Sequence, residues 1–287
     1  MKIIDILNSG RPGLSMEVFP PKTIDNYSKI EGAVNEIASL KPSFMSVTYG
    51  AGGGTSRFTA SLAGSVQKKH GVPTLAHLTC VSSTKEQIGE CLEKLKEEGI
   101  SNILALRGDV LPDTDMSRLE YRYASQLIET IKEHGDFCIG GACYPESHPE
   151  SESFTKDIEN LKIKVDAGCS FLTTQMFFDN DILYNFMFKI RDAGINVPVV
   201  AGVMPVTNAR QIKRIIGISG TMVPTRFRRI VDRYADDPAA MKQAGIAYAC
   251  EQIIDLYANG INAVHLYTMN SPEVASKIME NISEIIK

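Results

Sequence analysis

Short runs of β-branched and aromatic residues alternate with longer stretches of helical spacing along the whole chain. The short runs are Leu14–Phe19, Phe44–Tyr49, Thr74–Cys80, Asn102–Arg107, Cys138–Tyr144, Phe171–Phe178, Val197–Met204 and Ala263–Thr268. Apolar residues recurring every three to four positions predict helices over Asp25–Leu40, Ser56–Lys69, Thr84–Glu98, Ser117–Glu133, Ser151–Ala167, Asp181–Ala193, Asn208–Ile216 and Pro272–Ile286. Strand and helix taken in turn mean parallel pairing, because a parallel neighbour is reached only through a crossover and the helix supplies it. Eight such units close into a (β/α)8 TIM barrel, expected to occupy residues 1–287 as a single catalytic domain. The seventh interval is much longer than the rest and carries the basic run Arg226-Phe-Arg-Arg229 and a helical pattern from Pro238 to Tyr257, so extra helices are expected between strands seven and eight.

Barrel strands are covered on both faces and should be almost wholly apolar. Several of these are not. A period of two puts Ser15, Glu17 and Phe19 on one face of the first strand, Ser46 with Thr48 on the second, Thr173 with Gln175 on the sixth and His265 with Tyr267 on the eighth. Burying an unpaired polar group costs on the order of 1–3 kcal/mol, so this many at one rim predict a ligand at the C-terminal strand ends. Glu17, beside Phe19 and the stiff Pro20-Pro21 exit, is expected to be desolvated toward its neutral form, as suits a general acid. Asp109, in Arg107-Gly108-Asp109, is expected to be held ionised by the adjacent guanidinium. The run Gly50-Ala-Gly-Gly-Gly-Thr55 fits neither common phosphate-loop pattern and says only that backbone bends tightly there.

A formal charge of −4 gives no reason to expect nucleic acid as a partner. The opening MKIIDILNSG holds an aspartate in a very short apolar run, and no later run is long enough to span a bilayer, so a cytoplasmic protein is expected. Cys80, Cys91, Cys138, Cys143, Cys169 and Cys250 contain no C-x-x-C pair and read as small buried residues; no metal site is expected, and Glu146 with His148 lacks a third ligand.

Ser-Met-Glu-Val-Phe-Pro-Pro-Lys22, Val-Thr-Tyr-Gly-Ala-Gly-Gly53, His-Leu-Thr-Cys80, Leu-Arg-Gly-Asp109, Tyr-Pro-Glu-Ser-His-Pro-Glu150, Lys-Val-Asp-Ala-Gly168 and Thr-Gln-Met-Phe-Phe-Asp179 follow one another in this order. Together they resemble the methylenetetrahydrofolate reductase family, in its short bacterial form with the catalytic barrel only. The resemblance implies an FAD enzyme that takes a hydride from NADH or NADPH and passes it to 5,10-methylenetetrahydrofolate, giving 5-methyltetrahydrofolate. It implies FAD contacts at Thr48, His77, Leu106, Arg107, Gly108, Asp109, Tyr123, Ala124, Ala142, Tyr144, His148, Asp157 and Lys164. Substrate contacts are implied at Glu17, Asp109, Gln175 and Gln211, with Glu17 and Asp109 catalytic, and the family suggests a homo-oligomer.

Two positions depart from the family pattern. Ile215 stands where an aromatic residue would stack on nicotinamide or folate, and Ser271 stands where an arginine often holds the folate's glutamate tail. The first opens the alternative that an iron–sulfur or flavoprotein partner delivers the electrons. The second predicts that Arg226, Arg228 or Arg229 supplies the missing cation. A flavin-independent pterin methyltransferase barrel and a non-catalytic folate-binding module are the competing readings. The His77, Arg107–Asp109 and Tyr144–His148 set favours a flavin over the first, and Glu17 argues against the second.

Overall fold

A computed structural model describes residues 1–21, 23–49, 56–81, 83–110, 115 and 118–287, without the side chains of residues 56, 57, 213, 214 and 218. The glycine-rich run at 50–55, Lys22 and the expected helix start at Ser117 lie outside the described residues. Strands β1 (Gly13–Val18), β2 (Met45–Val47), β3 (Thr74–Thr79), β4 (Asn102–Leu106), β5 (Cys138–Cys143), β6 (Phe171–Thr174), β7 (Val199–Val203) and β8 (Ala263–Tyr267) form a closed barrel in sequence order. Every pair is parallel, and β8 closes on β1 with Ser15 beside His265 and Glu17 beside Tyr267.

Around it lie α1 (Ile3–Leu7), α2 (Tyr27–Ser39), α3 (Ser56–His70), α4 (Lys85–Glu97), α5 (Ala124–His134), α6 (Phe154–Gly168), α7 (Asn180–Asp192), α8 (Ala209–Ser219), α9 (Thr225–Tyr234), α10 (Pro238–Ala258) and α11 (Pro272–Ile282). The long seventh interval thus holds α8, α9 and α10, as its pattern predicts. Alternate strand residues such as Met16, Val18, Ala76 and Leu78 pack outward with the helices in the main core. The opposite set, Phe44, Leu75, Leu104, Cys138, Phe171 and Val200, fills the floor of the barrel.

Three elements differ from the sequence reading. The short α1 is unannounced by periodicity, yet it closes the barrel floor. Its Ile3 is fully buried, and Asn102 ties it down by accepting the Ile3 N–H (2.8 Å) and donating to the carbonyls of Met1 (3.2 Å) and Thr74 (3.1 Å). Helix α5 begins at Ala124, because the Gln126 side chain accepts the N–H groups of Arg122 (2.7 Å) and Tyr123 (3.1 Å) and fixes the first turn there. Strand β6 stops at Thr174, since Phe177 and Phe178 leave the sheet to fill two different clusters. Their carbonyls are taken by Gln252 (2.9 Å) and Tyr248 (2.7 Å) on α10.

All six cysteines are free thiols, five of them buried, in keeping with their reading as packing residues. Among the described residues no helix is long and apolar enough to cross a membrane.

Candidate active site

A parallel barrel puts all C-terminal strand ends on one face, so Glu17, next to last in β1, and Asp109, just beyond β4, share a rim. The inner surface beneath that rim is polar. Ser15, Ser46, His77, Thr173 and His265 are all buried there, at positions where a packed barrel places branched apolar side chains. Glu17 Oε2 lies 3.6 Å from His77 Nε2 and 3.8 Å from His265 Nε2. Among the described residues, His77 Nε2 and Thr173 Oγ1 are buried without a hydrogen-bond partner, as a ligand-binding surface would leave them.

This environment corrects the expectation for Glu17. Burial does push its carboxyl upward, but His265, His77 and Ser46 together outweigh burial and hold it below the ordinary value of 4.5. Nearby polar partners, invisible in the local sequence, decide the sign. Burial has the opposite consequence for His77, pushing it down to about 4 although Glu17 pulls it up.

The Arg107–Asp109 expectation also changes. Arg107 turns its fork to Glu150, with Nη1 and Nη2 donating to the two carboxylate oxygens at 2.6 and 2.7 Å, while Asp109 remains exposed. A planar guanidinium satisfies one carboxylate best in this two-bond geometry, which an immediate chain neighbour across Gly108 does not offer. Gly108 has φ +87°, and a Cβ there would stand 3.1 Å from Thr79 Cβ, so glycine is what lets the chain turn out of β4 at this point.

On the neighbouring rim Tyr144 meets His148 edge-on at 4.6 Å. The His148 N–H donates to Asp157 Oδ2 at 3.1 Å, and His148 Nδ1 accepts the Glu150 N–H at 3.1 Å, which leaves the ring hydrogen on Nε2. Lys164 reaches from α6 to donate to the Ala142 carbonyl at 2.6 Å, and burial lowers its pKa. Leu106 ends β4 and Thr48 follows β2, both half-buried; Tyr123 is exposed at the start of α5, and Ala124 beneath it is buried. Thus Arg107, Tyr144, His148 and Asp157 are linked through Glu150 and His148, with Lys164 close behind.

Gln175 and Gln211 are held differently. Gln175 Oε1 accepts the N–H of Met176 at 3.0 Å. Gln211 Oε1 caps α8, accepting the N–H groups of Thr207 (2.7 Å) and Asn208 (3.1 Å). Ile215 is buried with Phe178, Val206 and Phe227, so its position serves packing. Ser271 caps α11 through the Val274 N–H. Arg226 pairs with Glu251 at 2.6 Å in a cleft of about 350 Å³ that also contains Asp179, Asp181 and Asp255. So acidic a cleft is ill suited to a glutamate tail, and Arg228 and Arg229 are exposed nearby on α9.

Sequence reasoning placed Ser15, Ser46 and His265 on the inner face without giving them a role, and it missed Glu150 as the partner of Arg107. Strand alternation was the signal for the first three. Glu150 carried none beyond its place in the Tyr144–Glu150 motif. Among the described residues no group of three or more His, Cys, Asp or Glu side chains is placed to hold a metal ion.

Residues 2–283 match the family model for methylenetetrahydrofolate reductase. The chain is 35% identical to the 5,10-methylenetetrahydrofolate reductase of Pectobacterium carotovorum subsp. carotovorum, an alignment covering 95% of this chain and 91% of that protein. It is 34% identical to the Escherichia coli K12 protein of the same name, over the same shares. With Methylenetetrahydrofolate reductase (NADH) 1 of Arabidopsis thaliana it shares 36% identity over 99% of this chain but 51% of the plant protein. Among solved structures, a Clostridium thermocellum protein that binds two copies of 5-methyl-5,6,7,8-tetrahydrofolic acid superposes with a TM-score of 0.65 at 12% identity, covering 98% of this chain and 99% of that one, a likeness of fold alone.

Proposed function

The chain belongs to the methylenetetrahydrofolate reductase family, and from that premise we propose that it reduces 5,10-methylenetetrahydrofolate to 5-methyltetrahydrofolate at the β1–β4 rim, with FAD as its cofactor and NADH as the donor. The observation that carries this reading is the buried polar inner surface, with Glu17 beside two histidines and with His77 Nε2 and Thr173 Oγ1 unpaired among the described residues. These orphaned atoms fit a polar, ring-shaped ligand that can hydrogen-bond along its edge. When bound, FAD would supply the hydride relay between nicotinamide and folate.

The residues that would hold it are Thr48, His77, Leu106 to Asp109, Tyr123, Ala124, Ala142, Tyr144, His148, Asp157 and Lys164. Lys164 and the Arg107–Glu150 pair would lie along the cofactor. Exposed Tyr123 offers an aromatic face, and His148 presents Nε2–H as a donor. Gln175 and Gln211 would orient the folate, with Asp109 as a nearby anion that favours a cationic, ring-opened folate. Glu17 would protonate the folate's bridging nitrogen. Because Glu17 is held ionised in the open mouth, it must gain its proton as the folate binds.

The Arabidopsis relative's name supports NADH as donor. We also propose that residues 1–287 act as one catalytic barrel, that the protein works in the cytoplasm and that it assembles as a homo-oligomer. A visible spectrum of the purified protein tests the central reading. Flavin absorbance that bleaches with NADH and returns with methylenetetrahydrofolate is expected; a colourless protein that takes up no FAD on titration would refute it.

A further inference from the structure

Behind Glu17 runs a buried chain of side chains that the proposed reaction has not yet used. Ser15 on β1, Ser46 on β2 and His265 on β8 are 1%, 0% and 2% exposed. Ser15 Oγ lies 3.0 Å from the Val264 carbonyl oxygen and 2.7 Å from His265 Nδ1. A serine hydroxyl has a single hydrogen and a carbonyl can only accept, so that hydrogen goes to Val264. His265 Nδ1 must therefore donate to Ser15. The ring keeps Nδ1–H in every protonation state, and its variable proton is confined to Nε2. Nε2 faces Ser46 Oγ at 3.0 Å and Glu17 Oε2 at 3.8 Å, and the Ser46 hydroxyl in turn acts on the Glu17 carboxylate. Phe44, stacked at 5.8 Å, and Tyr267, edge-on at 5.6 Å, fix the plane of the ring. Among the described residues the titratable groups facing it are Glu17, His77 and Tyr267.

We infer that His265 is a positioning residue that stores, on Nε2 and through Ser46, the proton that Glu17 delivers to the folate. This rests on the folate reduction proposed above, which consumes one proton per turnover. In this assignment the stored proton sits on Nε2 of His265, opposite Glu17, while the mouth is open to water. A folate covering the carboxylate strips its water, and loss of hydration penalises an ion pair more than a neutral pair. The His265 Nε2–H bond then breaks as Ser46 Oγ takes that hydrogen and releases its own to Glu17 Oε2. One N–H bond is lost, one O–H bond is formed, and no oxidation state changes. The neutral ring goes on accepting from Ser46, and Glu17 meets the folate as an acid. After product leaves, water returns the proton through Glu17. A merely structural layer would need none of this, since apolar side chains of similar volume can replace buried charged pairs with little loss of stability.

The test uses the flavin-loaded protein labelled with 15N-histidine and 13C-glutamate, followed by NMR from about pH 5 to about pH 9, with and without 5-methyltetrahydrofolate as the probe. In wild type, Nδ1 of His265 should carry hydrogen throughout, and only Nε2 should change with pH and on adding the probe. In His265→Gln, and in Ser46→Ala should the first variant fold poorly, the Glu17 carboxyl midpoint should rise by at least about one unit, a tenfold loss of acidity. A neutral ring carrying its hydrogen on Nε2, or a Glu17 midpoint unmoved in both variants, would overturn the inference. None of these readouts needs turnover, so they decide it even if the wild type fails to reduce methylenetetrahydrofolate, a failure that would count against the proposed function instead. In a protein that does turn over, the basic limb of the folate half-reaction should move to lower pH in either variant, with little change in KM. A limb that stays in place would equally contradict the stored proton.

Discussion

Glu17 Oε2 stands 3.6 Å from His77 Nε2, too far for a hydrogen bond yet close enough for an ion pair once the ring is charged. The ring resists that charge. Burial holds His77 at about 4, whereas an unfolded histidine protonates near 6.5. Between those two values the unfolded chain binds the extra proton, so stability that is complete above 6.5 falls as the pH drops and stops falling from this group below about 4. The loss should be on the order of 3 kcal/mol. Glu17, held below 4.5, adds its own acid loss only under that value. Urea unfolding of wild type and His77→Asn across this range checks the assignment: the variant should lose His77's share of the slope, leaving that of His148, which burial also pushes down, and an unchanged slope would place its source elsewhere.

Asn102 joins the barrel floor to α1 with three backbone hydrogen bonds. Asn102→Ala leaves buried backbone groups without partners, which should cost about 3 kcal/mol. Thermal or urea denaturation measures the loss, and hydrogen exchange at Ile3 should accelerate with it. A variant as stable as wild type would show that α1 is held by apolar contact alone.

The glutamate tail of the proposed folate substrate calls for a cation, and Ser271, uncharged and capping α11, cannot supply it. Arg226 is already paired with Glu251 among further carboxylates, which leaves Arg228 and Arg229. Neutralising both should raise the KM for a folate bearing its glutamate tail about tenfold, worth about 1.4 kcal/mol, with a smaller effect on a tail-less pterin. Steady-state kinetics with the two substrates checks this; an equal effect on both, or none, removes the two arginines from tail binding.

Much of the site was legible because strand alternation has a fixed period. Ser15, Glu17, Ser46, Thr173 and His265 lie on the inner face where the pattern put them, and each strand overlaps its predicted run. Charge state was not legible, since it depends on partners far away in sequence. Glu17 reads as a desolvated acid beside Phe19, but His265 and His77 arrive from β8 and β3 and reverse the sign. Arg107 reads as the partner of Asp109, but the β5 loop brings Glu150 in better geometry. Helix α1 escaped notice because five residues are too few to show a period. The Phe171–Phe178 run looked like one long strand because apolarity alone does not say which core a residue enters, and Phe177 and Phe178 enter different ones.

The most direct measurement separates the two half-reactions of Glu17→Gln by anaerobic stopped-flow spectroscopy. Reduction of the bound flavin by NADH should stay within about twofold of wild type, while reoxidation by methylenetetrahydrofolate should slow at least about a hundredfold, the usual worth of a general acid. Equal slowing of both halves, or a folate half-reaction that survives intact, would contradict the assignment of Glu17 as the folate's proton donor.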